Sequence, residues 1–188
     1  MNRTTMAGLA VVLAVAAGGL YLGLVSGEEG APLSDAGHRG SDGPLSIPAE
    51  VVEFATLQGD SASLEDYRGQ VVLLNLWGTW CPPCRREIPD LVKLQEQIEP
   101  RGGTVVGLAV DSGSPAEIRD FADSFGMNYP VWHARTRTVV EHYRAMGFPT
   151  TLLIDREGII RERYIGPQTA EELLADVEPY LEEGRDAG

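Results

Sequence analysis

Apolar and polar positions alternate in this chain with a period that changes from segment to segment. Residues 7–25 carry no charge and no strongly polar group, and that length matches the roughly 20 residues a helix needs to cross a bilayer. Residues 28–46 are rich in Gly, Ser, Asp and Pro with almost nothing apolar. Such a composition cannot bury enough surface to order itself, so it predicts a flexible tether. The folded domain is expected to begin near Ile47, with a first strand over 51–57 and a polar connection over 60–70. Residues 71–77 form an apolar run without alternation, the pattern of a strand buried on both faces. A helix follows over 82–98, with Pro82 and Pro83 suited to its start and Pro89 expected to kink it. Residues 104–110 are a second buried strand. Strand, helix and strand in that order imply a parallel pair with a right-handed crossover.

Further on, Ser114, Pro115 and Glu117 mark a helix start. Its apolar face is Ile118, Phe121, Ala122 and Phe125, and Gly126 stops it. A short strand is expected over 129–132, and Val139, Val140, Tyr143 and Met146 fit a helix ending at Gly147. Residues 150–154 and 159–165 flank the polar tip Asp155-Arg156-Glu157-Gly158, which predicts a β-hairpin. Thr169 and Glu172 have the spacing of a capping box for a last helix reaching about Leu181. The resulting organisation is an N-terminal membrane anchor (1–27), a linker (28–46), one α/β domain (47–183) and a short tail (184–188).

The flanks of the first apolar segment orient it. Arg3 and the amino terminus precede it, while Glu28 and Glu29 follow, so the basic side is expected in the cytoplasm and the domain outside it. A cleaved signal peptide is the alternative, with small residues at Val25-Ser26-Gly27. The run is longer than the roughly 7–15 residues of a signal core, which favours a retained anchor. No cysteine follows this segment to carry a lipid.

Charge and cysteine content narrow the chemistry. With 15 Lys+Arg against 28 Asp+Glu the net charge is −13, which argues against binding nucleic acid or an anionic surface. The simplest reading of that acidity is solubility, with attraction of basic partner segments as a lesser one. The chain has 2 cysteines, Cys81 and Cys84, too few for a structural zinc site. Its histidines, His38, His133 and His142, are not at ligand spacing. A disulfide between the cysteines would close too short a loop to restrain the unfolded chain, so its value lies in reactivity. Both cysteines fall where a buried strand gives way to a helix. There the backbone N–H groups are unpaired and the helix dipole is positive, which favours the thiolate, the reactive species. Pro82 and Pro83 have no N–H, so the first main-chain donor available to the Cys81 sulfur is that of Cys84. The thiolate of Cys81 is therefore expected to be favoured moderately rather than extremely.

Trp77-Gly78-Thr79-Trp80-Cys81-Pro82-Pro83-Cys84, with Gly147-Phe148-Pro149-Thr150 ahead of a hairpin, resembles the thioredoxin superfamily. Over roughly residues 47–181 it is most similar to the membrane-tethered, extracytoplasmic TlpA/ResA/CcmG-like branch. The resemblance implies a thioredoxin-like fold, a central mixed β-sheet flanked by helices. It implies that Cys81 is the exposed nucleophile and Cys84 the enclosed resolving thiol. Pro149 matches a cis-proline beside the disulfide, leaving the main chain of Phe148 to pair with a partner's backbone. Trp80, Pro82, Pro83 and Phe148 are the expected substrate contacts. Glu87, one helical turn after Cys84, matches an acidic residue near both thiols and is a candidate proton shuttle. Asn75 stands where many cytoplasmic thioredoxins have a buried Asp, and an amide cannot titrate. Trp77 is expected in the core, while Trp132 and His133 are candidates for the border of the site.

The implied activity is reduction of extracytoplasmic protein disulfides, such as the C-x-x-C-H of apocytochrome c. Electrons would come from a membrane thiol carrier, with no cofactor beyond the Cys81–Cys84 pair, no metal and no nucleic acid. The CcmG-like subgroup carries Glu soon after the cis-proline, whereas this chain has Thr150-Thr151, which points away from a specific role in cytochrome maturation. The competing readings are a disulfide oxidase or isomerase, and a copper chaperone using both cysteines and a histidine. A thiol peroxidase fits less well, since no isolated cysteine follows a Thr-x-x spacing. A domain that chiefly holds a partner at the membrane is the remaining one.

Overall fold

The computed structural model describes residues 38–39 and 45–183. The expected membrane anchor, most of the expected tether and the tail lie outside the described residues. Strands β1 (His38–Arg39), β2 (Ile47–Pro48), β3 (Phe54–Thr56), β4 (Ser61–Ala62), β5 (Val71–Trp77), β6 (Gly103–Val110), β7 (Val131–Ala134), β8 (Thr150–Ile154) and β9 (Ile159–Ile165) build one sheet. Their order is β1-β9-β8-β5-β6-β7-β3-β4, with β2 also paired to β9. The β5–β6 and β6–β7 ladders are parallel and the others antiparallel, so the sheet is mixed. Helices α1 (Pro82–Ile98), α2 (Pro115–Ser124), α3 (Thr136–Tyr143) and α4 (Ala170–Glu182) complete the domain.

Alternation along the central strands sorts the core into two layers. Val71, Leu73 and Trp77 of β5 join Val105, Ala109, Leu153 and Tyr164 beneath Leu91, Leu94 and Ile98 of α1 and Leu173, Val177 and Leu181 of α4. Val72, Leu74 and Leu76 point the other way, packing with Val106, Leu108 and Leu152 against Trp132, Val139 and Tyr143. A strand covered on both sides has no polar face to show, and every residue of β5 and β6 is buried. Burial of each such side chain contributes about 1.5–3 kcal/mol.

Several elements differ from the sequence pattern. The first strand is confined to Phe54–Thr56, because Val51 is exposed. The polar connection after it carries β4 and a short 3-10 helix, Leu64–Tyr67, closed by a Ser63/Asp66 capping box. Strand β7 starts later than expected, after Pro130, whose carbonyl accepts from Gly107 N–H at 2.8 Å. Helix α3 stops at Tyr143, where Arg144 takes a left-handed φ of 51° and turns its N–H back to Val139 and Val140. Met146 is consequently off the helix and 91% exposed. Helix α1 runs unbroken through Pro89. Within the expected tether, His38 and Arg39 pair with Ile165 and Tyr164.

Candidate active site

The turn from β5 into α1 sets up the cysteines. Cys81 is the N-cap of α1, and its sulfur accepts the Cys84 N–H at 3.3 Å. With proline at the two intervening positions, that N–H is the first one available. Cys81 and Cys84 are joined in a disulfide with their Cα atoms 5.3 Å apart. The expected contrast of an exposed Cys81 and an enclosed Cys84 is corrected by the structure. In the oxidised form Cys81 is 3% exposed and Cys84 1%. The reason is packing: both belong to the apolar layer that holds Trp77 and Leu91, with Phe148 packed against it.

The loop before Cys81 is pinned to the end of β6. Thr79 N–H donates to Ser112 Oγ at 3.1 Å, and Trp80 Nε1–H donates to the Val110 carbonyl at 3.1 Å. The indole folds over Gly78 so closely that a Cβ there would lie 2.6 Å from Trp80 Cε2. Trp80 is still 53% exposed, and it meets Phe148 edge-on with ring centroids 5.5 Å apart. The Phe148–Pro149 bond is cis. Pro149 is buried, its carbonyl accepting from Gly166 N–H at 2.9 Å. Phe148 precedes β8 and enters no ladder pair with it. Pro82 is exposed and Pro83 half-buried. On the other flank Arg85 lies over Phe121 and Phe125, 5.7 and 5.6 Å from the ring centroids, and Phe121 stacks on Trp77 at 5.4 Å. Trp77 is core, as expected. Trp132 is not at this site: it sits in the opposite layer, stacked on Phe54. His133 lies with Glu53, Ala55 and Arg135 around a separate surface depression.

On its face toward α1 the sheet carries a row that includes polar side chains. The register aligns Gly107, Asn75, Thr151 and Tyr164 side by side across β6, β5, β8 and β9. Asn75 has the same strand parity as Val71, Leu73 and Trp77, so it faces α1. Its amide donates to Thr151 Oγ1 at 2.9 Å and to Glu87 Oε2 at 3.0 Å. The other Glu87 oxygen accepts the Gln168 main-chain N–H at 3.0 Å. Glu87 is 2% exposed, not the solvated helix glutamate that its neighbours Arg85 and Arg86 suggest. Burial pushes its carboxyl up to about 7, with the hydrogen bonds from Gln168 and Asn75 opposing that shift. Tyr129, also buried, has a phenol raised by burial and by the Glu87 charge, and its hydroxyl and the Trp77 indole N–H have no hydrogen-bond partner among the described residues.

The resemblance to ResA-like proteins pointed to Glu87, with its spacing from Cys84 in support, but Thr151, Gln168 and Tyr129 were missed. A polar Asn and Thr inside otherwise apolar strands were a readable signal of a buried network. Gln168, which acts through its main chain, left none.

The comparisons with known proteins agree with this geometry. A profile of the AhpC/TSA family matches residues 47–163. This chain belongs to the AhpC/TSA family. Within it, the chain is 39% identical over 127 residues to the thiol-disulfide oxidoreductase ResA of Geobacillus kaustophilus, covering 67% of this chain and 70% of that one. It is 35% identical over 119 residues to the thioredoxin-like protein YneN of Bacillus subtilis, covering 63% and 69%. Among solved structures, a secreted thiol-disulfide isomerase from Corynebacterium glutamicum superposes with a TM-score of 0.68 at 26% identity, covering 78% of this chain and 99% of that one. A thioredoxin family thiol:disulfide interchange protein from Chlorobium tepidum gives 0.63 at 28%, covering 76% and 99%. The fold is thioredoxin-like, and the protein is a thiol-disulfide oxidoreductase of ResA type.

Proposed function

We propose that this oxidoreductase reduces disulfides in protein partners on the outer side of the cytoplasmic membrane, held there by residues 7–25. The observation that carries the reading is the buried Glu87 carboxyl, poised near neutrality one helical turn from Cys84. In the reduced protein, Cys81 thiolate attacks one sulfur of a partner disulfide. The partner's other sulfur leaves as a thiolate and takes a proton from solvent. Cys84 then passes its thiol proton to the Glu87 carboxylate and attacks the Cys81 sulfur, and the second partner sulfur departs as a thiolate. Two electrons have moved, and Cys81 and Cys84 end as the disulfide. A membrane thiol carrier restores the dithiol by the reverse exchange. No cofactor or metal takes part.

Trp80, Pro82, Pro83 and Phe148 form the docking face, with the Phe148 main chain open to strand-like pairing. The partners are extracytoplasmic cysteine pairs, with the C-x-x-C-H of apocytochrome c as one substrate to test. Capture with Cys84→Ser is the direct experiment, since a mixed disulfide at Cys81 then persists and its partner can be identified. The reduction potential separates the directions: a value near about −270 mV supports a reductant, and one near about −120 mV an oxidant.

A further inference from the structure

Glu87 has an opening of its own, separate from the mouth where the cysteines lie. A cleft of about 170 Å³, open to solvent, is lined by Arg86, Glu87, Asp90, Pro167, Gln168 and Thr169. Trp80, Cys81, Cys84, Phe148 and Pro149 do not line it. Glu87 is 2% exposed and Gln168 5%, so both are deep in the lining, and the carboxyl is tied to it through the Gln168 main-chain N–H, which donates to Glu87 Oε1 at 3.0 Å. Asp90 follows Glu87 by three residues on α1, which places it on the same helix face. It is partly exposed, and its carboxylate lies 3.6 Å from Lys93 Nζ.

The timing of the exchange gives the cleft a purpose. Cys84 loses its proton while the partner is still bonded to Cys81. At that stage the partner lies over Trp80 and Phe148 and covers the mouth. The proton taken up by Glu87 needs a way to water that the partner leaves open. We propose that the cleft between α1 and the β9–α4 turn is the proton exit of the resolving step, with Asp90 as the positioning residue that passes the proton from Glu87 to solvent. This rests on the reading of Glu87 as the acceptor of the Cys84 proton. The balance is simple: Cys84 S–H breaks, Glu87 O–H forms, and the Glu87 proton moves by way of water to the Asp90 carboxylate and on to buffer. The charged or titratable groups around Glu87 include Arg86 and Asp90 at the cleft, Tyr129, whose phenol its charge raises, and, in the reduced protein, the Cys84 thiol one turn earlier on α1. Asn75, Thr151 and Gln168 are neutral.

The experiment follows decay of the mixed disulfide in single turnover, using the reduced full-length protein and a peptide with one internal disulfide. It compares the unaltered protein with Asp90→Asn, Asp90→Leu and Glu87→Gln at low and high imidazole, in H₂O and D₂O. Asp90→Asn keeps the shape and loses the relay, so decay is expected to slow about tenfold. Its solvent isotope effect should rise, and imidazole should restore the rate. Asp90→Leu blocks the cleft mouth and should be slow and unresponsive to imidazole. A structural role alone would move neither the isotope effect nor the buffer response. If both Asp90 variants decay at the unaltered rate while Glu87→Gln is slow, the exit route is wrong and the role of Glu87 stands. If Glu87→Gln itself decays at the unaltered rate, the underlying reading of Glu87 falls, and the exit with it.

Discussion

At the candidate site a carboxylic acid is kept out of water. Glu87 has a folded-state value of about 7 against 4.5 for a free glutamate, so the folded protein binds more protons than the unfolded one between those limits. Stability therefore falls as pH rises from about 4.5 to 7, and the cost is fully present above that range. At about 1.4 kcal/mol per pH unit of displacement, it is on the order of 3 kcal/mol. Chemical denaturation of the oxidised protein across pH 4–8 should show this decline, and Glu87→Gln should flatten it. The gain in the variant will be smaller than the full cost, because its amide puts an N–H₂ where an oxygen accepted from Asn75 or Gln168. Asn75 is the second test at this scale. Asn75→Leu leaves Glu87 Oε2 and Thr151 Oγ1 without their buried donor and should cost about 2–3 kcal/mol, read as a shifted denaturation midpoint. Glu87 was legible through the resemblance to ResA-like proteins, with helical spacing setting it one turn from Cys84. Its partners were not, since Thr151 reaches Asn75 only through the β5–β8 register, and one sequence does not state a register.

Among the elements, the loop between β5 and α1 works as a unit. Gly78 gives Trp80 room to fold back, and the indole is tied to β6 at Val110. Gly78→Ala should displace the indole and break that bond. The expected result is a shift in Trp80 fluorescence together with faster alkylation of Cys81 in the reduced protein, because the indole meets Phe148, which packs on the layer holding the cysteines. Helix α4 carries a complete Thr169/Glu172 capping box, and Thr169→Ala should cost about 1 kcal/mol in denaturation. The elements read most surely were those with strong local chemistry: β5, α1 with its two prolines, the β8–β9 hairpin and the capped starts of α2 and α4. Those misread depended on tertiary surroundings. The helix expected to run to Gly147 ends early because Arg144 adopts a left-handed turn, a conformation that an arginine does not advertise. The strand expected over 51–57 loses its first half because Val51 finds no cover.

At the scale of the whole molecule, the central strands carry two apolar layers, and the polar row at Asn75 interrupts only the one beneath α1. That arrangement keeps Cys81, Cys84 and the Glu87 carboxyl buried, with α1 carrying Cys84 and Glu87 one turn apart. The parallel strand–helix–strand unit was legible because unbroken apolar runs joined by a helix have few topologies, and the thioredoxin-like fold through the resemblance carried by the motifs at Cys81–Cys84 and Phe148–Pro149. The burial of Cys81 was not, since the packing of Trp77, Leu91 and Phe148 around the disulfide is a property of the assembled domain. That burial sharpens the central claim, which is that Cys81 is the sulfur that meets the partner once the disulfide opens. The most direct measurement is limited alkylation of the reduced protein at pH 7, followed by mapping of the modified peptide. Modification of Cys81 well ahead of Cys84 is the predicted result. Preferential labelling of Cys84, or labelling of neither while the fold is intact, would contradict it.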